Sequence, residues 1–433
     1  MSVDVDNLEN VLHAFSPRIE VQLGDPPAAV PIEFRSLEDF HPDGLRSRLP
    51  MFEAFRESRA RLLDSATFAE ESKRLMGDVA AEPSTPKEEK SEEIEEMGDT
   101  FERLLGQRPR ATASKPRVGG VTVDLSSLIE SAVRPHIVAE RSPAQDVLLG
   151  SVARAEADLL RHVLHAPAFQ RLESAWRSVS NIVNAVEDGG PTILLLDVTE
   201  EELRNDLSRA ASPDRSALFR VIVESETAGG QAPWTMLLGD LSFGTDTADI
   251  ACLDSLGRLA QEAGAPFIAR ALPALFGCPG FDRKRVDATE WSVDAEDAER
   301  WQAFRKTAAA SWIGLAAPRV LLRLPYGKRT DAADEPFEEV IDDWNHAHYL
   351  WGNPAFAVAT MVLGEGQLDL DDLPAHYHES ALQAAAEAYV GERAAERILS
   401  SGPMPWMSYK DRPAARLLRL QSVADPATSL PGI

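Results

Sequence analysis

Two pairs of histidines form the main metal-ligand pattern of this sequence. They are His346 with His348 and His376 with His378, and three aspartates lie between the pairs at Asp369, Asp371 and Asp372. Imidazole and carboxylate groups are ligands of zinc, so this stretch raises the hypothesis of a metalloenzyme. The spacing fits no standard zinc site, however, and packing of these side chains is the favoured interpretation. The sequence therefore predicts no bound metal.

Residues that could act as nucleophiles or hold phosphate are equally sparse. The chain has no G-x-S-x-G elbow, P-loop, dinucleotide-binding fingerprint or H-E-x-x-H motif. Gly364-Glu365-Gly366 is too short to cradle a phosphate and is typical of a turn. Cys252 lies in a helical apolar pattern and Cys278 follows an apolar run, so we interpret both as small core residues. We predict that the protein is not an enzyme and has no cofactor.

The charge balance of the chain excludes one broad class of function. Its 433 residues include 44 lysines and arginines against 70 aspartates and glutamates, a formal net charge of −26. Such a chain repels phosphates, so general nucleic-acid binding is not expected. Two cysteines are too few for a disulfide framework, no signal peptide follows Met1, and no apolar run approaches about 18 residues. We therefore expect a cytoplasmic protein without membrane insertion.

A compositional change divides the chain into three parts. Residues 80–120 are rich in Pro, Ser, Glu and Lys and poor in large apolar residues, which is typical of a flexible linker. Residues 1–79 form a small leading module, and residues 121–433 form a larger domain of one or two subdomains. A covalent linker keeps two partners at equal number and high local concentration. This organisation points to a component of an assembly.

The leading module has the pattern helix, strand, strand, helix. Asp4 or Asp6 caps a first helix that ends at Pro17. The segments Ile19–Leu23 and Val30–Phe34 predict two strands. A second helix begins near Pro42, and a module of this size has a thin core, so it must pack on the rest of the chain or on a neighbour. The apolar stripe of the second helix is Leu45, Leu49, Phe52, Phe55 and Leu62.

The larger domain alternates helices and strands. A helical region runs from Pro143 to Glu187 and breaks near Ala166, because Pro167 disfavours helical geometry there. Strands alternating with helices predict a layered α/β core. The helical segments that follow are Thr199–Ala210, with a capping box between Thr199 and Glu202, and Asp246–Ala263. The strand-like runs are Thr192–Val198, Trp234–Phe243, Pro266–Ala269 and Arg319–Leu324.

Several stretches resemble the contractile sheath proteins of bacterial type VI secretion systems. The leading module resembles the small sheath subunit, of the TssB or VipA type, at Asp6–Leu8 with Ser16–Arg18, at Phe34–Asp43 and at the Arg-rich helix Pro50–Leu63. The larger domain resembles the large sheath subunit, of the TssC or VipB type. Its matching stretches are His165–Arg177, Leu237–Phe243, Ala265–Ala269 with Leu272–Gly277, Trp301–Arg305, Gly314–Gly327 and His348–Asn353.

The resemblance implies a fold and a function. The fold is a layered sheath-protein core with a mixed sheet and flanking helices, completed by the helix–strand–strand–helix module. The function is that of a fused sheath-like subunit that assembles around an Hcp-like inner tube. The alternative is a sheath-homologous cap, adaptor or baseplate-associated protein that does not polymerise, because terminal strands that the family's protomers exchange have no counterpart in this sequence. The implied partners are further copies or other sheath subunits, a ClpV-like AAA+ ATPase and baseplate proteins.

The resemblance also indicates two sets of contact residues. A short amphipathic helix near the start of the family's large subunit is recognised by the ATPase, and its counterparts here are Leu125, Leu128 and Ile129. Packing of a first helix explains the same stripe equally well. A second set, Arg319, Arg323 and Arg329, would pair with acidic groups across an assembly interface. The alternative is that these arginines are solvated or paired within the chain.

Overall fold

The computed structural model of the chain describes residues 1–23, 28–76, 145–186, 189–210, 212–224, 233–282, 285–286, 288–341, 345–364, 386–408 and 415–433. The chain divides into two compact units. The sheet unit comprises Met1–Val11, Glu173–Leu324 and Trp344–Ile433, and the helical unit comprises Leu12–Leu172 and Pro325–Asp343. Each unit therefore combines segments that are far apart in the sequence.

The elements are numbered in chain order. The helices are α1 Leu8–Phe15, α2 Pro42–Arg48, α3 Pro50–Leu63, α4 Phe68–Met76, α5 Gln145–Leu164, α6 Pro167–Ala185, α7 Glu200–Arg209, α8 Ala217–Phe219, α9 Thr247–Ala263, α10 Ala295–Arg305, α11 Pro354–Leu363 and α12 Glu392–Ser400. The strands are β1 Ser2–Val3, β2 Arg18–Leu23, β3 Ala28–Glu33, β4 Ile193–Leu194, β5 Leu237–Phe243, β6 Phe267–Ala271, β7 Arg285–Val286, β8 Ile313–Ala317, β9 Val320–Arg323, β10 Leu350–Gly352, β11 Tyr389–Val390, β12 Met404–Ser408 and β13 Ala415–Leu417. Short 3-10 turns are Leu37–Phe40, Pro213–Arg215, Pro273–Phe276, Ala288–Glu290, Ala309–Trp312 and His346–His348.

The helical unit contains the two predicted strands of the leading module, which form a hairpin. Strands β2 and β3 pair antiparallel in continuous register, from Arg18 opposite Glu33 to Leu23 opposite Ala28. One face carries the side chains that are buried, and on β2 the other face carries the exposed polar residues Arg18, Glu20 and Gln22, as the alternating sequence predicts. The two predicted strands are thus confirmed within a few residues. The buried face consists of Val21, Leu23, Val30 and Ile32.

The second helix of the leading module is divided in two, so the expectation of one helix running across Pro50 was wrong, whereas the Arg-rich helix Pro50–Leu63 is confirmed as α3. Helix α2 ends at Arg48, Leu49 is extended with ψ 122°, and α3 starts at Pro50. Proline disfavours helical geometry in the residue before it and is well placed at the first position of a helix. The apolar stripe continues through the break nonetheless, since Leu45, Phe52 and Phe55 are all buried.

Helix α3 packs on α5, and α4 packs on both. The apolar face of α3 meets an apolar stripe of α5 at helical spacing, which places the two parts of the chain in one core. The predicted break after α5 is also confirmed, because α5 ends at Leu164 and α6 starts at Pro167. The buried apolar residues of α3 are Met51, Phe52, Phe55 and Leu62, and those of α5 include Leu148, Val152, Leu159 and Val163.

A five-stranded mixed sheet is the centre of the sheet unit. The strand order is β13-β12-β8-β6-β5, in which β5, β6, β8 and β12 are parallel and β13 is antiparallel to β12. Helix α9 packs on the face that carries Phe267 and Ala269, and α11 packs on the face that carries Ile268. Asp246 caps α9 by accepting a hydrogen bond from the Asp249 amide. The predicted α/β fold with a mixed sheet and flanking helices is confirmed.

The first residues of the chain belong to the sheet unit. Ser2 and Val3 of β1 pair antiparallel with Leu194 and Ile193 of β4, and the Met1 amino group donates to the Leu195 carbonyl at 2.8 Å. The predicted strand Thr192–Val198 is therefore only two residues long, because a strand is as long as its pairing partner allows. Beyond β4, Leu196 and Val198 remain exposed.

Candidate functional site

A cluster of three phenylalanines joins the leading module to the first residues of α6 in the helical unit. The rings of Phe34 and Phe40 stack with centroids 4.4 Å apart, and Phe169 meets both edge-on at 5.6 and 5.7 Å. All three side chains are fully buried. Offset-stacked and edge-on contacts are the favoured geometries of aromatic pairs. The cluster therefore fixes the hairpin against the part of the chain that follows residue 144.

The turn that presents Phe40 is built from its own sequence. Asp39 Oδ2 accepts hydrogen bonds from the amides of Arg35 at 2.6 Å and Ser36 at 3.0 Å. His41 then caps α2 by accepting a hydrogen bond from the Asp43 amide, and its ring lies edge-on to Tyr326 at 4.9 Å. These local hydrogen bonds explain why an aspartate precedes Phe40 and a histidine follows it.

A buried ion pair lies beside the aromatic cluster. Arg46 Nε of α2 donates to Glu156 Oε1 of α5 at 2.7 Å, and both side chains are about nine-tenths buried or more. The guanidinium also donates to Asp43 at 3.2 Å and lies 5.6 Å from the centre of the Phe337 ring. Burial raises the pKa of Glu156, and the charge of Arg46 opposes that rise. Each charge is thus tolerated in the core only because the other is present.

The segment Pro325–Asp343 completes the helical unit. Its Glu335 carboxylate pairs with Arg59 of α3, and its Glu338 carbonyl accepts a hydrogen bond from Arg161 Nε of α5 at 2.8 Å. Arg161 also lies 5.5 Å from the centre of the Phe337 ring. The segment therefore binds the leading module and α5 at the same time. We call this set of contacts the module junction.

The sheet unit has its own buried charged network beyond the carboxyl end of β8. Glu387 is 3% exposed and accepts hydrogen bonds from Arg319 Nη2 and from the His346 ring, both at 2.6 Å. Burial alone would raise the pKa of Glu387. The hydrogen bonds from His346 and Arg319 and the charges of Arg319 and Arg270 outweigh burial and hold this pKa at about 2. Glu387 is therefore a fixed negative charge at neutral pH.

A second buried carboxylate organises β9 and α6. Glu173 is fully buried and accepts hydrogen bonds from Arg323 at 2.7 and 3.1 Å and from Arg177 at 2.7 Å. Two of the three predicted interface arginines, Arg319 and Arg323, thus pair inside the chain. Arg329 is exposed. An assembly role for these three residues stays a prediction.

The predicted histidine cluster lies partly outside the described residues. His346 belongs to the Glu387 network and stacks on Trp351 with centroids 5.4 Å apart, and the His348 ring contacts Asn345 at 2.9 Å. His376, His378 and the three aspartates before them fall in residues 365–385, which the structure does not describe. Within the described ranges no three His, Cys, Asp or Glu side chains are placed to hold a metal ion.

The two cysteines are core residues, as predicted. Cys252 and Cys278 are 6% and 5% exposed and both belong to the core between the sheet and α9. Burial raises the pKa of the Cys252 thiol to about 11, so the thiol stays protonated at neutral pH. A protonated buried thiol is a poor nucleophile.

The proposed ATPase-recognition residues Leu125, Leu128 and Ile129 lie in residues 77–144, outside the described ranges, as does the predicted linker 80–120. No helix in the described ranges is long and apolar enough to cross a bilayer.

Sequence reasoning missed the residues that carry the buried charges. Glu156 lies one helical turn after Val152 on the buried stripe of α5, and Glu173 lies one turn after Phe169 on α6. An acidic residue at an apolar position of a helix is a visible signal of a buried ion pair. The identity of the arginine that pairs with each glutamate, however, depends on contacts between residues more than 100 positions apart.

The fold and the module junction define the class of this protein as a fused assembly subunit, in which the leading module shares a buried core with α5 and with residues 325–343. The family model described as EvpB/VC_A0108, tail sheath N-terminal domain, matches residues 149–423, and the chain belongs to this family. A second model, described as Type VI secretion system, VipA, VC_A0107 or Hcp2, matches residues 1–91.

One curated relative supports the same assignment over most of the chain. The type VI secretion system sheath protein TssC1 of Pseudomonas aeruginosa is 28% identical over 386 residues, which cover 80% of this chain and 75% of the relative. The protein is thus a fused sheath protein, a structural component of the type VI contractile apparatus. The resemblance inferred from the sequence is confirmed. Sheath families are structural, and their subunits oligomerise with each other.

Proposed function

We propose that each copy of this chain serves as one complete sheath-like building block that assembles, in the cytoplasm, around an Hcp-like inner tube. The module junction carries this proposal. Because the leading module shares a core with α5 and with residues 325–343, a single chain supplies the contacts that two separate subunits would otherwise make. A lattice of such blocks drives a tube outward when its copies change from one packing to another.

Electron microscopy of the purified protein tests this role. Long tubes support a polymerising sheath subunit. Monomers or a single closed ring would instead support the alternative, a cap, adaptor or baseplate-associated protein. Addition of an Hcp-like tube protein tests the inner partner, since the tube should be enclosed by the chain and should promote its assembly.

We further propose that a ClpV-like ATPase recognises Leu125, Leu128 and Ile129. These apolar residues fall on one face of a short predicted helix, and a helix face of this kind is what a groove recognises. Replacing all three by alanine should abolish binding to the ATPase and leave assembly unchanged. Loss of assembly, or binding at the wild-type level, would contradict the proposal.

A further inference from the structure

Arg270 is a charged residue on an interior strand of the five-stranded sheet. It lies in β6, in register with Ser242 of β5 and Ala316 of β8. Side chains alternate between the faces of a strand, so Arg270 lies on the same face as Ile268, opposite the face that packs on α9. It is also next to the last residue of β6, at the carboxyl edge of the parallel strands.

The acidic groups whose charges act on Arg270 are engaged elsewhere. Glu387 receives its hydrogen bonds from Arg319 and His346. Asp240 accepts a hydrogen bond from the Asn353 side chain at 3.2 Å. The nearby Arg319 adds a like charge. Arg270 thus sits in a charged region whose described carboxylates already serve other donors.

The Arg270 guanidinium itself has no hydrogen bond or ion pair within the described ranges, although its side chain is only partly exposed. Burial and the charge of Arg319 lower its pKa to about 10, so it keeps its charge at neutral pH. A guanidinium has five N–H donors in a planar fork that matches a carboxylate. A partly buried guanidinium that lacks a hydrogen-bond acceptor is energetically unfavourable.

We propose that Arg270 is an assembly contact that binds a carboxylate of a second copy of this chain. Charge complementarity favours this partner, because each copy of the chain carries 70 acidic against 44 basic residues and so offers carboxylates in excess. A planar, two-pronged contact would also fix the orientation of that neighbour. The inference rests on the proposed function, since it requires that copies of the chain meet.

The test compares Arg270→Ala with a matched change, Arg258→Ala. Arg258 is exposed on α9 and pairs with Asp254 one turn away at 2.8 Å, so its removal changes the net charge equally. Assembly is followed by sedimentation over a protein concentration series. We expect Arg270→Ala to raise the concentration needed for assembly at least tenfold, about 1.4 kcal/mol. Arg258→Ala should change it less than twofold.

Thermal unfolding of the unassembled protein separates docking from folding. Arg270 makes no hydrogen bond within the described chain, and its charge is the smallest of the causes that lower the pKa of Glu387, so Arg270→Ala should lower the melting temperature only slightly. A fall as large as that of Glu387→Gln would overturn the inference by assigning Arg270 a structural role. Arg270→Lys keeps the charge but loses the fork, and it should recover assembly only partly.

Three further results would count against the inference. Assembly of Arg270→Ala at the wild-type concentration would overturn it while leaving the proposed function intact. Normal self-assembly with loss of binding to an Hcp-like tube would show that the tube, and not a second copy, supplies the carboxylate. Failure of the wild-type chain to assemble at all would refute the proposed function and this inference together.

Discussion

The ion pair between Arg46 and Glu156 provides a sharp test of the module junction. Replacing Arg46 by methionine removes the cation and leaves the Glu156 carboxylate in the core. The two side chains are 10% and 6% exposed, so water cannot replace the lost partner. Removing one partner of such a buried pair typically destabilises the fold by about 3–5 kcal/mol. We therefore expect Arg46→Met to weaken the docking of the leading module by about 3–5 kcal/mol.

A matched control lies one helix away. Arg59 pairs with Glu335, but these side chains are 35% and 40% exposed, and exposed pairs contribute at most about 1 kcal/mol. Arg59→Met should therefore cost far less than Arg46→Met. The double variant Arg46→Met/Glu156→Leu removes both buried charges and should regain a large part of the loss, because apolar residues are tolerated where a buried pair was.

The assay measures docking of the module directly. A protease site is placed within the predicted linker 80–120, the chain is cut, and dissociation of the two fragments is followed by size-exclusion chromatography and by a binding titration. A loss of 3 kcal/mol corresponds to roughly a 150-fold weaker complex. Equal losses for Arg46→Met and Arg59→Met, or a double variant as weak as the sum of its single changes, would refute the reasoning.

The pH dependence of the stability of Arg46→Met gives a second readout. Burial already raises the pKa of Glu156 above its ordinary value of 4.5, and the loss of Arg46 removes the charge that opposes that rise. The folded state then binds a proton more tightly than the unfolded state, so stability falls as pH rises through the raised pKa. The penalty of Arg46→Met should therefore be larger at pH 8 than at pH 5.

Three other outcomes are expected. Phe169→Ala should lower the free energy of unfolding by about 3–5 kcal/mol in urea titrations, since the ring is fully buried between two others, and a loss below 1 kcal/mol would contradict the cluster's role. Glu387 has a pKa of about 2 in the fold against 4.5 ordinarily, so its contribution of about 3 kcal/mol is present above pH 4.5 and is lost as pH falls toward 2. Glu387→Gln should abolish this loss of stability at acid pH, and an unchanged dependence of stability on pH would argue against the role of Glu387. Deleting Met1–Arg74 should leave a remainder that aggregates, because the apolar face of α5 is uncovered, and a stable, soluble fragment of residues 121–433 would count against a shared core.

Local elements were largely predictable from the sequence, because their signals are local. The capping box of Thr199 with Glu202 is present at the start of α7. The break between α5 and α6 follows from Pro167, and the strand β2 follows from its alternating apolar and polar residues. The error at Pro50 came from following the apolar stripe across a residue that ends helical geometry.

The segments that come together in each unit could not be predicted in the same way. Nothing near Ser2 in the sequence indicates that it pairs with Leu194, and nothing near Arg46 indicates Glu156. Such pairings depend on the tertiary packing of the whole fold, which brings complementary surfaces from distant parts of the sequence together. Arg319 and Arg323 show the same limit, since their sequence context permits both an internal and an external partner, and the internal ones are Glu387 and Glu173.

The distant partners of the leading residues have a consequence for biosynthesis. A ribosome synthesises residues 1–76 well before α5 and β4 exist, so the apolar surfaces of this segment stay uncovered until first α5 and then β4 have emerged. Contacts of such high sequence separation form slowly, and the waiting segment is open to misassembly. We expect a nascent chain stalled near residue 100 to recruit chaperones, and one extended past β4 to release them.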